Sequence, residues 1–140
     1  MKKELPGGFE LDDDLARIDV AEVHRFLSTE SYWAQGRPFE IQERLIREAQ
    51  RVVGLYHDDR LIGFSRTVSD GTAVTYLADV YVLPEFRGRG LGTELVRFTV
   101  EEGPYADARW FLHTADAHGL YRKLGFAAPN AKLMERQSPA

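Results

Sequence analysis

The sequence predicts one α/β domain: a mixed, mostly antiparallel sheet flanked by helices, in the order β-α-α-β-β-β-α-β-α-β. Three observations predict it. Between Val52 and Val82 the chain reads as three β-rich runs separated by short polar turns, the pattern of an antiparallel meander. On both sides of this meander, apolar residues recur at helical rather than alternate spacing. The 140 residues, 44% hydrophobic and 29% charged, suit one globular domain with a full-sized core, and no repeat or linker divides them.

Residues 1–8 read as a loose start ending in Pro6-Gly7-Gly8, and Phe9–Leu11 as a short strand before the acidic turn Asp12-Asp13-Asp14. Asp19 is expected to cap a helix, with Glu22 at the capping-box position, because its oxygen satisfies N–H groups that the first turn leaves free. Val20, Val23, Phe26 and Leu27 form the inner face of that helix, which should end near Ser28–Thr29. A non-periodic loop rich in aromatic and hydrogen-bonding groups follows, residues 30–38. The second helix fits Phe39 to about Arg51, with Ile41, Leu45, Ile46 and Ala49 inward. The meander strands fit Val52–His57, Leu61–Val68 and Thr72–Val82, turned at Asp58-Asp59-Arg60 and Ser69-Asp70-Gly71. Pro84 stops the third strand because it has no ladder donor. A helix then runs from Gly92 to about Glu102 and ends at Gly103-Pro104. Arg109–His113 reads as a short buried strand, Ala115–Leu124 as a helix closed by Gly125, and Ala131–Glu135 as the last strand. From Gln137 the tail is uninformative.

A formal net charge of −4 makes the protein as a whole a poor match for a nucleic-acid backbone. Without cysteine there is no disulfide framework, thiol nucleophile or cysteine-held metal. No stretch approaches the roughly 20 apolar residues of a membrane span. Met1-Lys2-Lys3 leads into Glu4-Leu5-Pro6 rather than the apolar run of a signal peptide. The expectation is a soluble cytoplasmic protein with neither nucleic-acid nor membrane partners.

The stretch Asp79–Gly92 carries the chemistry. Val80, Tyr81 and Val82 are strand-formers, and the turn after Pro84 holds Arg87-Gly88-Arg89-Gly90-Leu91-Gly92 ahead of a helical pattern. Strand, glycine-rich turn and helix start make an anion site, because the first N–H groups of a helix have no internal partner and lie at its positive pole. Two arginines complete a pocket for a phosphate or pyrophosphate. Two familiar phosphate motifs fail. A dinucleotide fingerprint counted from Gly88 would need glycine at Thr93, and the preceding meander is antiparallel; no Gly-Lys-Ser/Thr triplet follows for a P-loop.

These residues resemble the GNAT superfamily of N-acetyltransferases, whose signature is Arg or Gln, two residues, Gly, one residue, then Gly or Ala, between a central strand and a long helix. Arg87 to Gly92 fits at every position. Leu120-Tyr121-Arg122-Lys123-Leu124-Gly125-Phe126 is similar to the family's helix ending in Tyr-x-x-x-Gly-Phe, and the likeness covers about Phe9 to Glu135. The resemblance implies that the amides of Gly88 to Thr93 hold the pyrophosphate of acetyl-CoA. It implies that backbone groups of Val80 and Val82 meet the thioester and pantetheine arm at a strand split from its neighbour. The activity implied is direct attack of a primary amine on the acetyl thioester. A small-molecule acceptor is expected; a catalytically silent acyl-CoA module or an acetylase of protein amines are the rival readings. Dimers are common in the family, so a homodimer is compatible with the likeness.

Within that reading Tyr121 is the acid or thiolate hydrogen-bond donor, against the alternative of a tyrosine filling a helix–sheet seam. Thr114 stands where many relatives have asparagine and offers the pantetheine arm fewer donors. Asp79, in the apolar run Leu77 to Val80, should be either paired or raised in pKa. It is read as the base that accepts the amine proton, or as a structural carboxylate paired with an arginine such as Arg66; His113 or a water chain are the other candidate bases. His113, Asp116 and His118 match no metal-ligand spacing, so no metal is expected; Asp116 should cap the following helix and His118 line the substrate side. Tyr32, Trp33 and Arg37 lie in the loop that covers the acceptor pocket in the family, and would hold a flat apolar or anionic acceptor such as an amino acid or a small aromatic amine, unless Tyr32 and Trp33 merely plug the core.

Overall fold

The computed structural model describes residues 1–139; Ala140, in the expected loose end, lies outside them. A six-stranded sheet in consecutive order, β1 to β6, forms the frame. Strand β1 (Lys2–Leu5) pairs antiparallel with β2 (Phe9–Asp12), so part of the expected loose start is an edge strand. The turn at Pro6-Gly7-Gly8, with both glycines at positive φ, folds Leu5 back onto Phe9.

Helix α1 (Val20–Glu30) starts as expected: the Asp19 side chain accepts from the Glu22 N–H at 3.1 Å. Helix α2 spans Phe39–Glu48 and stops short of the expected end. Ala49 is already extended (ψ 148°), and the Gln50 N–H donates to Thr67 O at 3.1 Å. Arg51 therefore opens β3 (Arg51–His57) instead of ending a helix. Its buried guanidinium donates to the carbonyls of Thr99 (2.9 Å) and Phe98 (3.3 Å), the negative pole of α3 (Leu91–Glu101).

Strand β4 (Arg60–Ser69) follows a tight turn in which Asp58 and Asp59 both have positive φ, the twist that suits a two-residue hairpin. Strand β5 (Val74–Val82) completes the meander. Ser65 Oγ lies 2.8 Å from Thr99 Oγ1, so Ser65 faces α3 and its strand neighbours Phe64 and Arg66 face the α1–α2 side. Phe26 of α1 stacks on Tyr81, ring centroids 4.0 Å apart. The main core joins α1, α2, the sheet and Leu91, Leu95 and Phe98 of α3; Leu77, Val96, Val100 and Tyr121 form a smaller one between β5, α3 and α4 (His118–Arg122).

Strand β6 (Arg109–Phe111) is shorter and more exposed than the buried strand expected. It runs parallel to β5 and pairs only with Val74, Thr75 and Tyr76. Helix α4 is a single turn and a half, His118–Arg122. The expected strand at Ala131–Glu135 does not form. Asn130 makes a turn with Lys132 N–H, and Leu133 and Met134 are exposed (51% and 92%). Two adjacent apolar residues give no single face to bury, so that segment lacks the alternation a half-buried strand needs.

Candidate active site

The site lies where β5 parts from β6. Beyond Tyr76 no described strand pairs with that side of β5, so Leu77 to Val82 present an open edge. The Leu83 N–H donates to Ile62 O on β4 at 2.8 Å, so by alternation the backbone of Val82 faces the open side. Arg87 Nε donates to the Val82 carbonyl at 3.0 Å, tying the glycine loop to the end of the strand. Arg89 leans over the Phe86 ring, 5.5 Å from its centroid.

Gly90 is the cap residue of α3, left-handed (φ 77°) and without a side-chain bond to the helix. The N–H groups of Leu91, Gly92 and Thr93 therefore emerge uncapped at the positive pole of an eleven-residue helix. A Cβ built on Gly88 or Gly90 would meet nothing within 4 Å, so open space lies beside these amides at the positive pole of the helix. Gly92 serves packing instead: a Cβ there would sit 3.3 Å from Leu120 Cδ1.

Asp79 sits in a bulge. Ala78 pairs with Arg66 and Tyr81 with Phe64, so Asp79 and Val80 together oppose Ser65, and Asp79 takes φ 55°. Regular alternation would put Asp79 on the face opposite Ala78. The bulge instead turns its carboxylate to the α1–α2 side, beside Arg66. There Oδ2 accepts from Arg66 Nε and Arg37 Nη1, both at 2.9 Å, and Oδ1 from Trp33 Nε1 at 3.0 Å. Arg37 Nη1 also donates to Gln42 Oε1 at 2.9 Å. Burial alone would push the Asp79 carboxyl up, but Arg66 and Arg37 together outweigh it and hold it below the usual carboxylate range. A base needs proton affinity near neutrality, which a carboxylate held between two guanidiniums does not have. Asp79 departs from the expected base and matches the paired alternative.

Trp33 and Arg37 thus come together as expected, by way of Asp79. Tyr32 stacks edge-on against Trp33, and its hydroxyl accepts from the Ala115 N–H at 2.8 Å, which fastens the loop to the segment before α4. Tyr32 and Trp33 are 55% and 42% exposed, so they do not plug the core.

Tyr121 is held by the end of α4. The Phe126 N–H donates to Tyr121 O and the Gly125 N–H to Arg122 O, with Gly125 at φ 88°, and the Phe126 ring packs edge-on against Tyr121 at 5.7 Å. This is a Schellman cap with its apolar contact, and it explains the Tyr-x-x-x-Gly-Phe spacing. The Tyr121 ring is buried against Leu77, Val96 and Val100. Its hydroxyl bonds to no described residue and is not sealed in. Burial, and then Tyr32, push its pKa up to about 12, so it keeps its proton at neutral pH.

Thr114 Oγ1 accepts from the Ala117 N–H at 3.1 Å. Thr114 and not Asp116 serves the start of α4, because the cap residue is Ala117 and Asp116 makes no cap bond. His118, at the first position of α4, is exposed and has no bond to the Trp33–Arg37 loop among the described residues. Both ring nitrogens of His113 are engaged, Nδ1 with Tyr76 OH and Nε2 with the Glu135 carboxylate. Among the described residues no group of metal-ligating side chains forms, and no helix is long and apolar enough to cross a membrane. A cleft of about 350 Å³ beside Arg17, Glu22, Arg25 and Asp59 shares no residue with this site, and its arginines are already ion-paired.

Sequence reasoning missed Gln42, Tyr76 and Glu135, and named Arg66 only as a partner. An arginine amid Ile62, Phe64 and Thr67 was the available signal, since a charge in an apolar strand needs a counter-charge.

A family model described as the acetyltransferase (GNAT) family matches residues 16–126. A solved chain from Xanthomonas campestris pv. campestris, described as belonging to the GNAT family, is 35% identical with a TM-score of 0.88, over 97% of this chain and 96% of that one. A GNAT family acetyltransferase from Elizabethkingia anophelis, solved with acetyl-CoA bound, shares the fold at a TM-score of 0.65 and 14% identity, over 89% of this chain and 79% of that one. An uncharacterised N-acetyltransferase, ycf52, of Gracilaria tenuistipitata var. liui is 35% identical over 68 residues, 47% of this chain and 37% of the relative. The chain spans between 37% and 55% of the length of the curated relatives it matches.

Proposed function

The chain belongs to the GNAT acetyltransferase family, and from that membership we propose that it moves an acetyl group from acetyl-CoA to the primary amine of a small molecule. What supports the reading is proximity at the unpaired edge of β5: the head of α3 lies against its end, where a Cβ on Gly92 would meet Val82 and Leu120, and the Tyr121 ring packs with Leu77 of the same strand. Acetyl-CoA supplies a thioester whose carbonyl carbon takes the amine nitrogen as the C–S bond breaks. The amides of Leu91, Gly92 and Thr93, with Arg87 and Arg89, hold its pyrophosphate. Backbone groups of Val80 and Val82 lie along the pantetheine arm, with Thr114 beside them. A backbone N–H near Val80 stabilises charge on the carbonyl oxygen. Tyr121 donates its proton to the departing sulfur and regains one from solvent, into which the proton lost by the amine is released. Tyr32, Trp33 and Arg37 shape the acceptor pocket, with His118 at its margin. Asp79 positions Trp33 and the two arginines. We place the protein in the cytoplasm as one catalytic domain of 140 residues.

A thiol-release screen of amines with acetyl-CoA tests this. Release of CoA with small-molecule amines is expected. Release only with peptide amines would make it a protein acetylase, and CoA binding without release would make it a silent module.

A further inference from the structure

The face beneath Trp33 holds more positive charge than the protein neutralises. Among the described residues Asp79 is the sole carboxylate within ion-pair distance of Arg37 or Arg66, and each arginine has no other acidic partner. Two guanidiniums against one carboxylate leave a single excess positive charge. Both side chains are mostly buried, 18% exposed for Arg37 and 12% for Arg66. Excess charge in such a place is costly unless an anion joins it.

The unused donors show where. Arg66 spends only Nε on the protein, which leaves both terminal nitrogens, Nη1 and Nη2, without an acceptor among the described residues. Arg37 spends only Nη1, on Asp79 and Gln42, so its Nε and Nη2 are free. None of these nitrogens is among the buried atoms that lack a partner, so they are not sealed inside the protein. Gln42 Nε2, next to Arg37, is sealed and has no acceptor, so the neighbourhood is rich in donors and short of acceptors. Arg66 pairs opposite Ala78, and Asp79 in the bulge holds both arginines beside the stretch of β5 that β6 leaves open.

We propose that the acceptor is an amine that also carries a carboxylate, an amino acid or a close analogue, and that its carboxylate docks on the free N–H edges of Arg66 and Arg37. One excess charge matches a monoanion, and the flat fork of a guanidinium matches a carboxylate in two parallel bonds. The exposed rings of Tyr32 and Trp33 flank the entry and suit an apolar or aromatic side chain on that acceptor. The proposal rests on the acceptor entering over Tyr32 and Trp33, as given above.

The test compares each amino acid with its own carboxamide in the thiol-release assay. The acid should react with kcat/KM higher by about tenfold or more, chiefly through KM. In Arg66→Gln one guanidinium still pairs with Asp79, and the preference should shrink to about twofold or less. Carboxamides, esters or phosphorylated amines that react as well as the acids would overturn the proposal and leave acetyl transfer standing. If no amine releases thiol, acetyl transfer to small amines fails instead, and binding decides the carboxylate site. Calorimetry with phenylpropionate against phenylpropionamide reads it without chemistry. Binding of the acid alone, lost in Arg66→Gln, supports the site; equal binding of both overturns it. The wild-type comparisons stand even where the variant does not fold.

Discussion

Asp79→Asn keeps the shape of the side chain and removes its charge. In the wild type one carboxylate, 2% exposed, accepts from Arg37, Arg66 and Trp33. In the variant one oxygen can still accept from Trp33, but an NH2 group faces two guanidiniums, donor against donor. Removing one partner of a buried ion pair costs about 3–5 kcal/mol, because the remaining charge stays desolvated. Two charges remain here, so a loss of roughly 4–5 kcal/mol is expected. In a domain of this size each kcal/mol shifts Tm by about 2–4 °C, so Tm should fall by roughly 8–20 °C. Urea unfolding at pH 7, followed by tryptophan fluorescence, measures the loss.

The pH dependence has a definite sign. The Asp79 pKa is held below its ordinary value in the folded protein. Its contribution is therefore complete above the unfolded value of about 3.9 and disappears as pH falls through the folded value. Wild type and variant should differ at pH 7 and converge in strong acid. Removing the orphaned charge as well, by Arg66→Gln in the same chain, should recover part of the loss. An Asp79→Asn protein with wild-type stability and abolished turnover would refute the ion-pair account and return Asp79 to the role of general base.

Tyr121→Phe keeps the ring in its seam and removes only the hydroxyl. Turnover should drop roughly a hundredfold or more, as for loss of a general acid, while CoA affinity measured by calorimetry stays near wild type; equal turnover would end that role. Since the Tyr121 pKa is pushed up to about 12, wild-type turnover should show no alkaline loss from this group below about pH 10. Gly90→Asp sets a carboxylate at the head of α3, where aspartate tolerates φ 77° at a cost of roughly 1–2 kcal/mol or less. The fold should persist while CoA binding is lost, and unchanged affinity by calorimetry would move the pyrophosphate elsewhere.

Local signals carried much of the fold. Period-2 and helical patterns located the meander and α1 to α3, and Asp19 and Gly125 marked helix ends through chemistry that needs no distant partner. Errors fell where a distant partner decides. Arg51 looked helical beside Gln50, but the carbonyls of Phe98 and Thr99 drew it into β3. Lys2–Leu5 has no strand pattern of its own and became a strand by pairing with β2. Leu133 and Met134 looked like strand residues but had no face to cover.

The site divides in the same way. The cradle at Arg87–Gly92 and the cap that holds Tyr121 were legible because each is one contiguous segment whose backbone geometry follows from its own glycines. Asp79 was legible as an anomaly, a charge in an apolar strand, but not as a role. Its function depends on a bulge set by register against β4, and on Arg37 and Arg66, 42 and 13 residues away along the chain. A sequence determines which groups must find partners. Only the folded chain decides which partners they find, because desolvation acts on what is near in space.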